Sequence, residues 1–429
     1  MLADSESPPP LPPRSSLKSL LQNRSFAFLL GMRVAGNIGM SVQTAATAWQ
    51  AYELTGSAMP LAFIGLARFL PNLALSFIGG AVADTRDRRV IMGISQIAPL
   101  LTSVWLFGLT ATGNITMTAI YLSSAIAGVA GAFQGPASQS LLPQVVGRAS
   151  FQRAVTLTSS LQQFTGIFGP AAGGVIIGAF GLAPAYLLRV VLMIVGFGCL
   201  ANIRVAAGSS PRGTISLALI KEGLVFIWTH RPVLGAMSLD MFAVIFASAD
   251  ALLPIYARDI LGAGAIGFGL LTSSKAVGAL VTSIVMTLLP PVVNTGRTMV
   301  ITVLMFGVAT IAFGFSTWLP LSLVLYALIA GIDQVSVVMR QNIIQLGTPD
   351  AFRGRVNSVN QVFVGASNQL GAVESGVVAT LTSSAEVAVV SGGIACLFAA
   401  AAVIALVPTL WHHRATFDPS EAEERAGAR

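Results

Sequence analysis

Eight ionisable side chains interrupt long apolar stretches of this 429-residue sequence, and their types allow proton transfer. Four are basic and four are acidic, namely Arg33, Arg68, Arg189 and Lys275, and Asp240, Asp250, Asp333 and Glu374. A charge in an apolar medium is costly, so each such residue is a functional candidate. A carboxyl group that alternates between water and a basic partner can load and release a proton. A fixed buried ion pair that only holds helices in register is the alternative.

Three of the acidic residues are the candidates for proton coupling. We expect Asp240 or Asp333 to carry the proton, with Glu374 as the third candidate. Arg33 and Lys275 are the expected counter-charges, because a nearby base favours the charged form of a carboxyl group.

The remaining charges have other expected places. Asp240 and Asp250 are ten residues apart, which separates them by about 15 Å along a helix, so we expect them to have different partners. Arg68 and Arg189 are predicted to be structural, and Arg68 is expected to reach towards the membrane surface or to pair locally.

Polar side chains recur on one face of two predicted helices. The two stripes are Arg33, Asn37, Ser41 and Thr44 in the first helix, and Asn360, Ser367 and Glu374 in a later one. Residues at these intervals lie on one side of an α-helix, so each stripe predicts a face turned towards a polar cavity.

The composition determines which elements must position these side chains. Only 10% of the residues are charged and 54% are hydrophobic, with a mean hydropathy of +0.79. A soluble domain carries about 25% charged residues, so an ordinary soluble protein and a disordered one are both excluded. Runs of about 20 apolar residues predict an all-α membrane protein. We predict twelve transmembrane helices, at about 26–52, 59–83, 90–110, 116–135, 154–180, 184–203, 232–256, 264–289, 298–315, 319–339, 357–381 and 386–409.

Three polar segments divide the chain. They are a Pro-rich N-terminal segment (1–25), a central loop (204–231) with an amphipathic surface helix at 215–226, and a C-terminal tail (410–429). The central loop separates two six-helix halves, 26–203 and 232–409. A shift of 202 residues aligns four pairs between the halves, Gln139 with Gln341, Arg153 with Arg355, Gly169 with Gly371, and Gly174 with Gly376. Pseudo-symmetric halves around a central site are common in secondary transporters.

The basic residues give the orientation. Nineteen of the 24 Lys and Arg fall on the side where the chain starts, one falls on the other side, and four lie inside spans. Because cytoplasmic loops are enriched in Lys and Arg, we predict that both termini are cytoplasmic. The net charge of +7 follows from this topology and needs no nucleic-acid partner. A bacterial inner membrane fits the count.

Several kinds of site are absent from the sequence. None of the three lysines belongs to a phosphate-binding G-x-x-x-x-G-K loop, so no ATPase is built in. The two cysteines and three histidines do not cluster, so we expect no metal site and no cofactor. No catalytic constellation is present, and we do not expect an enzyme.

A loop after the second span carries a recognisable signature. It runs from Gly80 through Asp84 to Arg88 and Arg89, and it resembles the G-x-x-x-D-R-x-G-R-R loop of the Major Facilitator Superfamily. Thr85 and Asp87 depart from that pattern. The resemblance covers the whole chain and implies the two-bundle fold of that superfamily, in which helices 1, 4, 7 and 10 line the cavity.

The same loop implies a conformational latch. In the superfamily, the aspartate at the position of Asp84 contacts the start of helix 11, here near Arg353 and Arg355. The latch candidates are Gly80, Asp84, Arg88, Arg89, Arg353 and Arg355. Gly80 is expected to let two backbones approach closely.

Further stretches are similar to one branch of the superfamily. Residues 52–57, 141–143 and 348–356 resemble the branch that contains the enterobactin exporter and macrolide efflux proteins. Helix 5 resembles drug–proton antiporters in its glycine-proline motif, formed by Gly166, Gly169, Pro170, Gly173 and Gly174. Pro170 is expected to bend that helix, and the glycines to pack it tightly.

The resemblance implies a secondary active transporter that exports an amphipathic small molecule, a drug or a siderophore, in exchange for protons by alternating access. We expect it to act as a monomer. An importer or symporter of a nutrient or lipid precursor in the same fold is the alternative, and a non-transporting receptor is a third reading.

Overall fold

Twelve long helices form the described part of the chain, which in the computed structural model comprises Leu20 and residues 22–85, 87–204 and 217–414. They are α1 (Arg24–Thr55), α2 (Met59–Thr85), α3 (Arg88–Ala111), α4 (Met117–Val145), α5 (Arg148–Phe180), α6 (Leu182–Ala201), α7 (Arg231–Ala247), α8 (Gly264–Leu288), α9 (Thr295–Gly314), α10 (Leu319–Gly347), α11 (Asp350–Thr382) and α12 (Ala385–Leu406). A surface helix, Leu217–Thr229, precedes α7, and a short turn, Pro408–Trp411, follows α12. Eleven of the twelve predicted spans are confirmed as continuous helices, and the seventh is helical but interrupted.

Ten of these helices, and α7 taken together with the helical turns that follow it up to Ile260, are long and apolar enough to cross a membrane. The exception is α11, whose 33 residues include the predicted polar stripe of Asn360, Ser367 and Glu374. The prediction that this stripe faces a polar cavity is wrong for the described cavities, since none of the three residues lines one. Asn360 and Ser367 are instead buried between packed helices.

The helices alternate in direction, so their ends form two faces of the bundle. The Asn23 amide donates to the Val145 carbonyl at 3.1 Å, which joins the start of α1 to the end of α4. The Gly296 N–H donates to the His413 carbonyl at 3.2 Å, which joins the start of α9 to the end of the described chain. We call this side the terminal face. The other side of the bundle, which contains Gly56 in the turn between α1 and α2, is called the opposite face.

The helices pack as two halves, α1–α6 (the N half) and α7–α12 (the C half). Between the halves, α5 packs on α8 and α2 packs on α11. The surface helix packs on α11, where the rings of Phe226 and Phe352 stack at 5.4 Å.

Equivalent glycines of the two halves make equivalent contacts. A Cβ atom at Gly169 in α5 would lie 2.6 Å from a side chain of α1, and one at Gly371 in α11 would lie 2.6 Å from a carbonyl of α7. A Cβ atom at Gly174 would lie 2.6 Å from α8, and one at Gly376 would lie 3.2 Å from α2. The shift of 202 residues therefore relates α1 to α7, α2 to α8 and α5 to α11.

The seventh span is broken, which the sequence analysis did not predict. α7 ends at Ala247, and the chain continues as a 3-10 turn (Asp250–Leu252), a short helical turn (Leu253–Ile255) and a π-helical turn (Tyr256–Ile260). Pro254 contributes to the break, because it lacks an N–H and its ring would collide with the carbonyl of residue 250 in a regular helix. We call residues 248–260 the broken segment.

Candidate functional site

The N half encloses a cavity of about 410 Å³, which we call the N-half cavity. Side chains from all six helices of this half line it. Its polar lining consists of Arg33, Asn37, Gln43, Thr44, Thr47, Arg68, Gln96, Thr102, Ser123, Ser124, Gln134, Ser138, Gln139, Thr158, Gln162 and Arg189. None of the described lining residues is Asp or Glu.

The polar stripe predicted for the first helix is largely correct. Arg33, Asn37 and Thr44 of α1 line the N-half cavity. Ser41 does not, because it lies against Gly169 of α5. Arg33 donates from Nη2 to the Ser138 carbonyl at 2.9 Å, so the interaction described for this group is with α4 and not with a carboxylate of the C half. The expectation that Arg33 is a counter-charge to those acids is corrected accordingly.

Two arginines that were predicted to be structural also line this cavity. Arg189 of α6 is buried, and it donates to the Gln43 Oε1 atom at 3.2 Å and to the Gly36 carbonyl at 3.1 Å. Arg68 of α2 lines the same space and is exposed within it. Helical spacing alone could not locate these residues, because the rotation of α2 and α6 in the bundle is set by packing.

A second group of polar residues lies in the C half, at the start of the broken segment. The Asp250 carboxylate accepts from Lys275 of α8 at 2.5 Å and from the hydroxyl of Tyr326 in α10. Asp333 of α10 lines the same small cavity of about 50 Å³. We call these four residues the acid–base cluster. It brings together three predicted candidates, Asp250, Lys275 and Asp333, and Tyr326 is an addition that the sequence analysis missed.

Aromatic packing holds Tyr326 in this position. The Tyr326 ring lies 5.1 Å from the ring of Phe313, which in turn stacks at 4.8 Å on Tyr256 of the broken segment. All three side chains are buried. The packing of these aromatic rings therefore orients the hydroxyl of Tyr326 towards Asp250.

Asp240 lies elsewhere and has a different partner, as its spacing from Asp250 predicts. It forms a buried ion pair with Arg340 of α10, and the exposed fractions of the two side chains are 6% and 5%. The predicted span 319–339 ends one residue before Arg340, but α10 continues to Gly347 and includes it. Neither Arg33 nor Lys275 is the described partner of Asp240. The geometry matches the alternative of a fixed pair between α7 and α10.

Glu374 stands apart from both cavities. Its Oε2 atom is buried and has no hydrogen-bond partner among the described residues. Within the same described part of the chain, no group of three or more His, Cys, Asp or Glu side chains is placed to hold a metal ion.

The glycine-proline motif of α5 faces two different helices. Gly169 and Gly173 lie against α1, and Gly174 lies against α8, where its Cβ would be 2.7 Å from the Cα of Gly269. Gly166 has no neighbour within 4 Å of such a Cβ. The motif therefore packs the N half internally and also joins it to the C half.

The predicted close approach at Gly80 is wrong. Among the described residues, a Cβ atom at Gly80 would meet nothing within 4 Å, whereas one at Gly79 would clash with the carbonyl oxygen of Ala132 in α4. Adjacent residues of a helix point about 100° apart, so a shift of one position selects a different neighbour. The side chain of Asp84 lies outside the described residues.

The basic residues of the predicted latch have these surroundings. Arg89 pairs with Asp87 at 3.0 Å and donates to the Ile203 carbonyl at 3.0 Å. The Nε atom of Arg88 is buried without a described partner. Arg353 donates to the carbonyl of Gln345, in the last turn of α10, and to that of Thr348, just after it, at 3.2 Å each. Arg355 pairs with Glu222 of the surface helix. Their role in a latch stays a prediction.

One contact between the halves was not predicted. At the opposite face the hydroxyl of Tyr52 in α1 donates to Asp259, near the end of the broken segment. Arg258 lies over the Tyr52 ring, 5.6 Å from its centre. Asp250 and Asp259 thus stand near the two ends of one segment, which connects the acid–base cluster to the N half.

Known proteins match this chain over most of its length. The family described as "Transmembrane secretion effector" matches residues 15–424. The chain is 26% identical to the multidrug efflux pump Tap of Mycolicibacterium fortuitum, over 81% of this chain and 87% of the pump. It is 24% identical to the enterobactin exporter EntS of Escherichia coli O1:K1, over 77% of this chain and 76% of the exporter.

A solved structure has the same fold. The crystal structure of a bacterial homologue of the iron transporter ferroportin superposes with a TM-score of 0.72 at 15% identity, over 91% of this chain and 99% of the homologue. The family and its members are membrane transporters and not enzymes. The chain belongs to the Major Facilitator Superfamily, and within it to the family of transmembrane secretion effectors.

Proposed function

We propose that this protein is a proton-coupled exporter of an amphipathic small molecule and that it works by alternating access. The acid–base cluster is the observation that carries the proposal. Asp250 and Asp333 face one cavity that holds a single ammonium group, from Lys275. Two carboxylates and one ammonium leave an excess negative charge, which a proton neutralises. About 43% of the Lys275 and Asp250 side chains is exposed, so water can deliver that proton.

The broken segment supplies a route from proton binding to movement. Its first turn holds Asp250, and its last turn holds Asp259, whose carboxylate accepts the hydrogen bond from Tyr52 of the N half. A proton that changes the pairing of Asp250 with Lys275 therefore changes the position of the segment that joins the halves. Discontinuous helices serve as binding and coupling sites in many transporters.

The contacts between the halves support a cycle of alternating access. The described close contacts of α5 with α8, at Gly174, and of α2 with α11, at Gly376, lie in the part of the bundle nearer the opposite face. The Tyr52–Asp259 contact lies at that face as well. In this proposal the bundle is closed at the opposite face, and the transport cycle breaks these contacts.

The direction, location and subunit state are part of the same proposal. Relatives named as an efflux pump and an exporter, together with the glycine-proline motif of α5, favour export over import. The bacterial relatives and the distribution of Lys and Arg favour the bacterial inner membrane with cytoplasmic termini. One chain holds both the N-half cavity and the acid–base cluster, so a monomer suffices.

The proposal is tested in inside-out vesicles with an imposed acid interior, using a panel of cationic, neutral and anionic dyes. We expect at least one dye to accumulate only while the pH gradient lasts. Asp250→Asn and Asp333→Asn are expected to abolish this accumulation but to keep dye exchange at equal pH. Glu386→Gln, which removes an exposed carboxylate at the start of α12, is the matched control. Full pH-driven accumulation in both aspartate variants would contradict the coupling role.

A further inference from the structure

We infer that the N-half cavity binds an anionic group of the transported molecule, so that the substrate class is an amphipathic organic anion such as a carboxylate. The inference rests on the proposed function, since it names the cargo of the same transporter. Its basis is a separation of charge. Arg33, Arg68 and Arg189 line the N-half cavity, and none of its described lining residues is acidic.

Two of the three guanidinium groups have donors left for a ligand. The Nη2 atom of Arg33 donates to the Ser138 carbonyl, and no hydrogen bond is described for Nη1, which is left for a ligand. Its Nε atom is buried and has no partner among the described residues. Arg68 is exposed in the cavity, and no hydrogen bond or ion pair is described for it. A guanidinium presents paired N–H donors that match the two oxygens of a carboxylate.

Arg189 has a different part in the site. Its guanidinium is buried and tied to Gln43 and to the Gly36 carbonyl, and the Gln43 Oε1 atom also accepts from Ser103 at 3.2 Å. A Cβ atom at Gly39 would lie 3.0 Å from the Arg189 side chain, so the small residue there makes room for it. Arg189 therefore contributes a fixed positive charge to the cavity.

The charge balance of the cavity favours an anion. A cation that has left bulk water is costly unless an opposite charge is near, and the polar partners described for these arginines are neutral carbonyl and amide groups. A bound carboxylate supplies the missing charge. A cationic molecule of the same size would add like charge and is rejected, so the cavity selects by sign as well as by shape.

The remainder of the cavity fits the apolar body of such a molecule. Leu30, Val34, Met40, Ile64 and Met193 line it together with the polar groups. Its volume of about 410 Å³ lies within the usual range for small-molecule sites, about 300–1,000 Å³. The anion site and the acid–base cluster thus occupy different halves of one chain.

Two xanthene dyes of similar size and opposite charge test this inference. Fluorescein, a dianion at mildly alkaline pH, and the cation rhodamine 123 are titrated with the full-length protein in lipid nanodiscs, and binding is measured by fluorescence anisotropy without any gradient. We expect fluorescein to bind and rhodamine 123 neither to bind nor to compete.

Variants assign the binding to the cavity. Arg68→Gln and Arg33→Gln are each expected to weaken fluorescein binding by roughly tenfold to a hundredfold, the loss of one charge-assisted interaction. Arg68→Lys keeps the charge and is expected to retain part of the affinity. Arg231→Gln removes an exposed arginine at the start of α7 and is expected to have no effect. A thermal melt confirms that each variant is folded.

Three outcomes would overturn the inference. They are failure of the wild-type protein to bind fluorescein, tighter binding of rhodamine 123, and fluorescein binding that neither Arg68→Gln nor Arg33→Gln weakens. The result is separable from the proposed function. Fluorescein binding without pH-driven accumulation would leave the anion site and remove proton coupling. Proton-driven accumulation of rhodamine 123 alone would support proton coupling and remove the anion site.

Discussion

The buried pair of Asp240 and Arg340 gives the sharpest prediction on stability. Asp240→Asn leaves the Arg340 guanidinium with an exposed fraction of 5% and no counter-charge. Its Nε atom already lacks a described partner, so the neighbourhood offers little compensation. Breaking a buried pair in this way costs about 3–5 kcal/mol. For a cooperative unit of 150–250 residues, 1 kcal/mol corresponds to about 2–4 °C, so we expect a decrease in Tm of about 6–20 °C.

A double variant separates charge imbalance from lost packing. In Asp240→Leu/Arg340→Met both charges are replaced by apolar groups, and replacing a buried pair in this way is often neutral. We therefore expect its Tm to return close to that of the wild-type protein. Glu222→Gln, which breaks the more exposed pair with Arg355, is the control and should cost about 1 kcal/mol or less.

The assay is a thermal melt of the purified protein in detergent or nanodiscs, followed by tryptophan fluorescence. A double variant as unstable as Asp240→Asn would refute the charge-balance reasoning. An Asp240→Asn variant that melts like the wild-type protein but loses pH-driven dye accumulation would make Asp240 a proton carrier.

Three further predictions concern packing, pH and the contact between the halves. Gly174→Ala should reduce dye accumulation, because its Cβ would lie 2.6 Å from α8. The control is Gly166→Ala, whose Cβ would meet no described atom within 4 Å. It should preserve dye accumulation and raise the free energy of unfolding by about 1 kcal/mol. Arg89 lowers the pKa of Asp87, the N-cap of α3, below its usual value of 3.8. The ionised Asp87 side chain therefore stabilises α3 at neutral pH. This stabilisation is lost as the pH falls through the lowered pKa. At pH 7 the Tm of Asp87→Ala should accordingly be lower than that of the wild-type protein, by the equivalent of about 0.5–2 kcal/mol. This difference in Tm should disappear in strong acid. An equal difference at both pH values would count against this account. Tyr52→Phe removes the hydrogen bond between the halves and should increase labelling of a cysteine introduced at the opposite face, and unchanged labelling would count against a closing role.

Hydropathy and helical spacing predicted much of this architecture because they act locally. The twelve apolar runs, the polar stripe of Arg33, Asn37 and Thr44, and the equivalence of Gly169 with Gly371 all follow from distances along one helix or between repeats. None of these three features depends on how a helix is rotated in the bundle, so they could be predicted from the sequence.

The partners of charged residues depend on that rotation and could not be predicted in the same way. Arg340 was placed outside the spans because its helix was expected to end near residue 339, so its pairing with Asp240 was missed. The break after Ala247 was hidden because the residues on both sides of it are mostly apolar, although Pro254 was a visible signal. Arg68 faces a cavity instead of lipid only because α2 packs on both α4 and α11.

The polarity of α11 has a consequence for biogenesis. α12 has the most apolar window of the candidate spans, with a mean hydropathy of 2.5, while α11 does not reach the hydropathy of a candidate span. If the translocon tests one segment at a time, insertion of α11 alone into lipid is unfavourable, because its hydropathy is too low. Its entry must wait for α2 and α7 to shelter its polar side, or for α12 to follow and anchor it. A chain that stops after Thr382 should consequently be left with α11 uninserted and become a substrate for quality-control proteases.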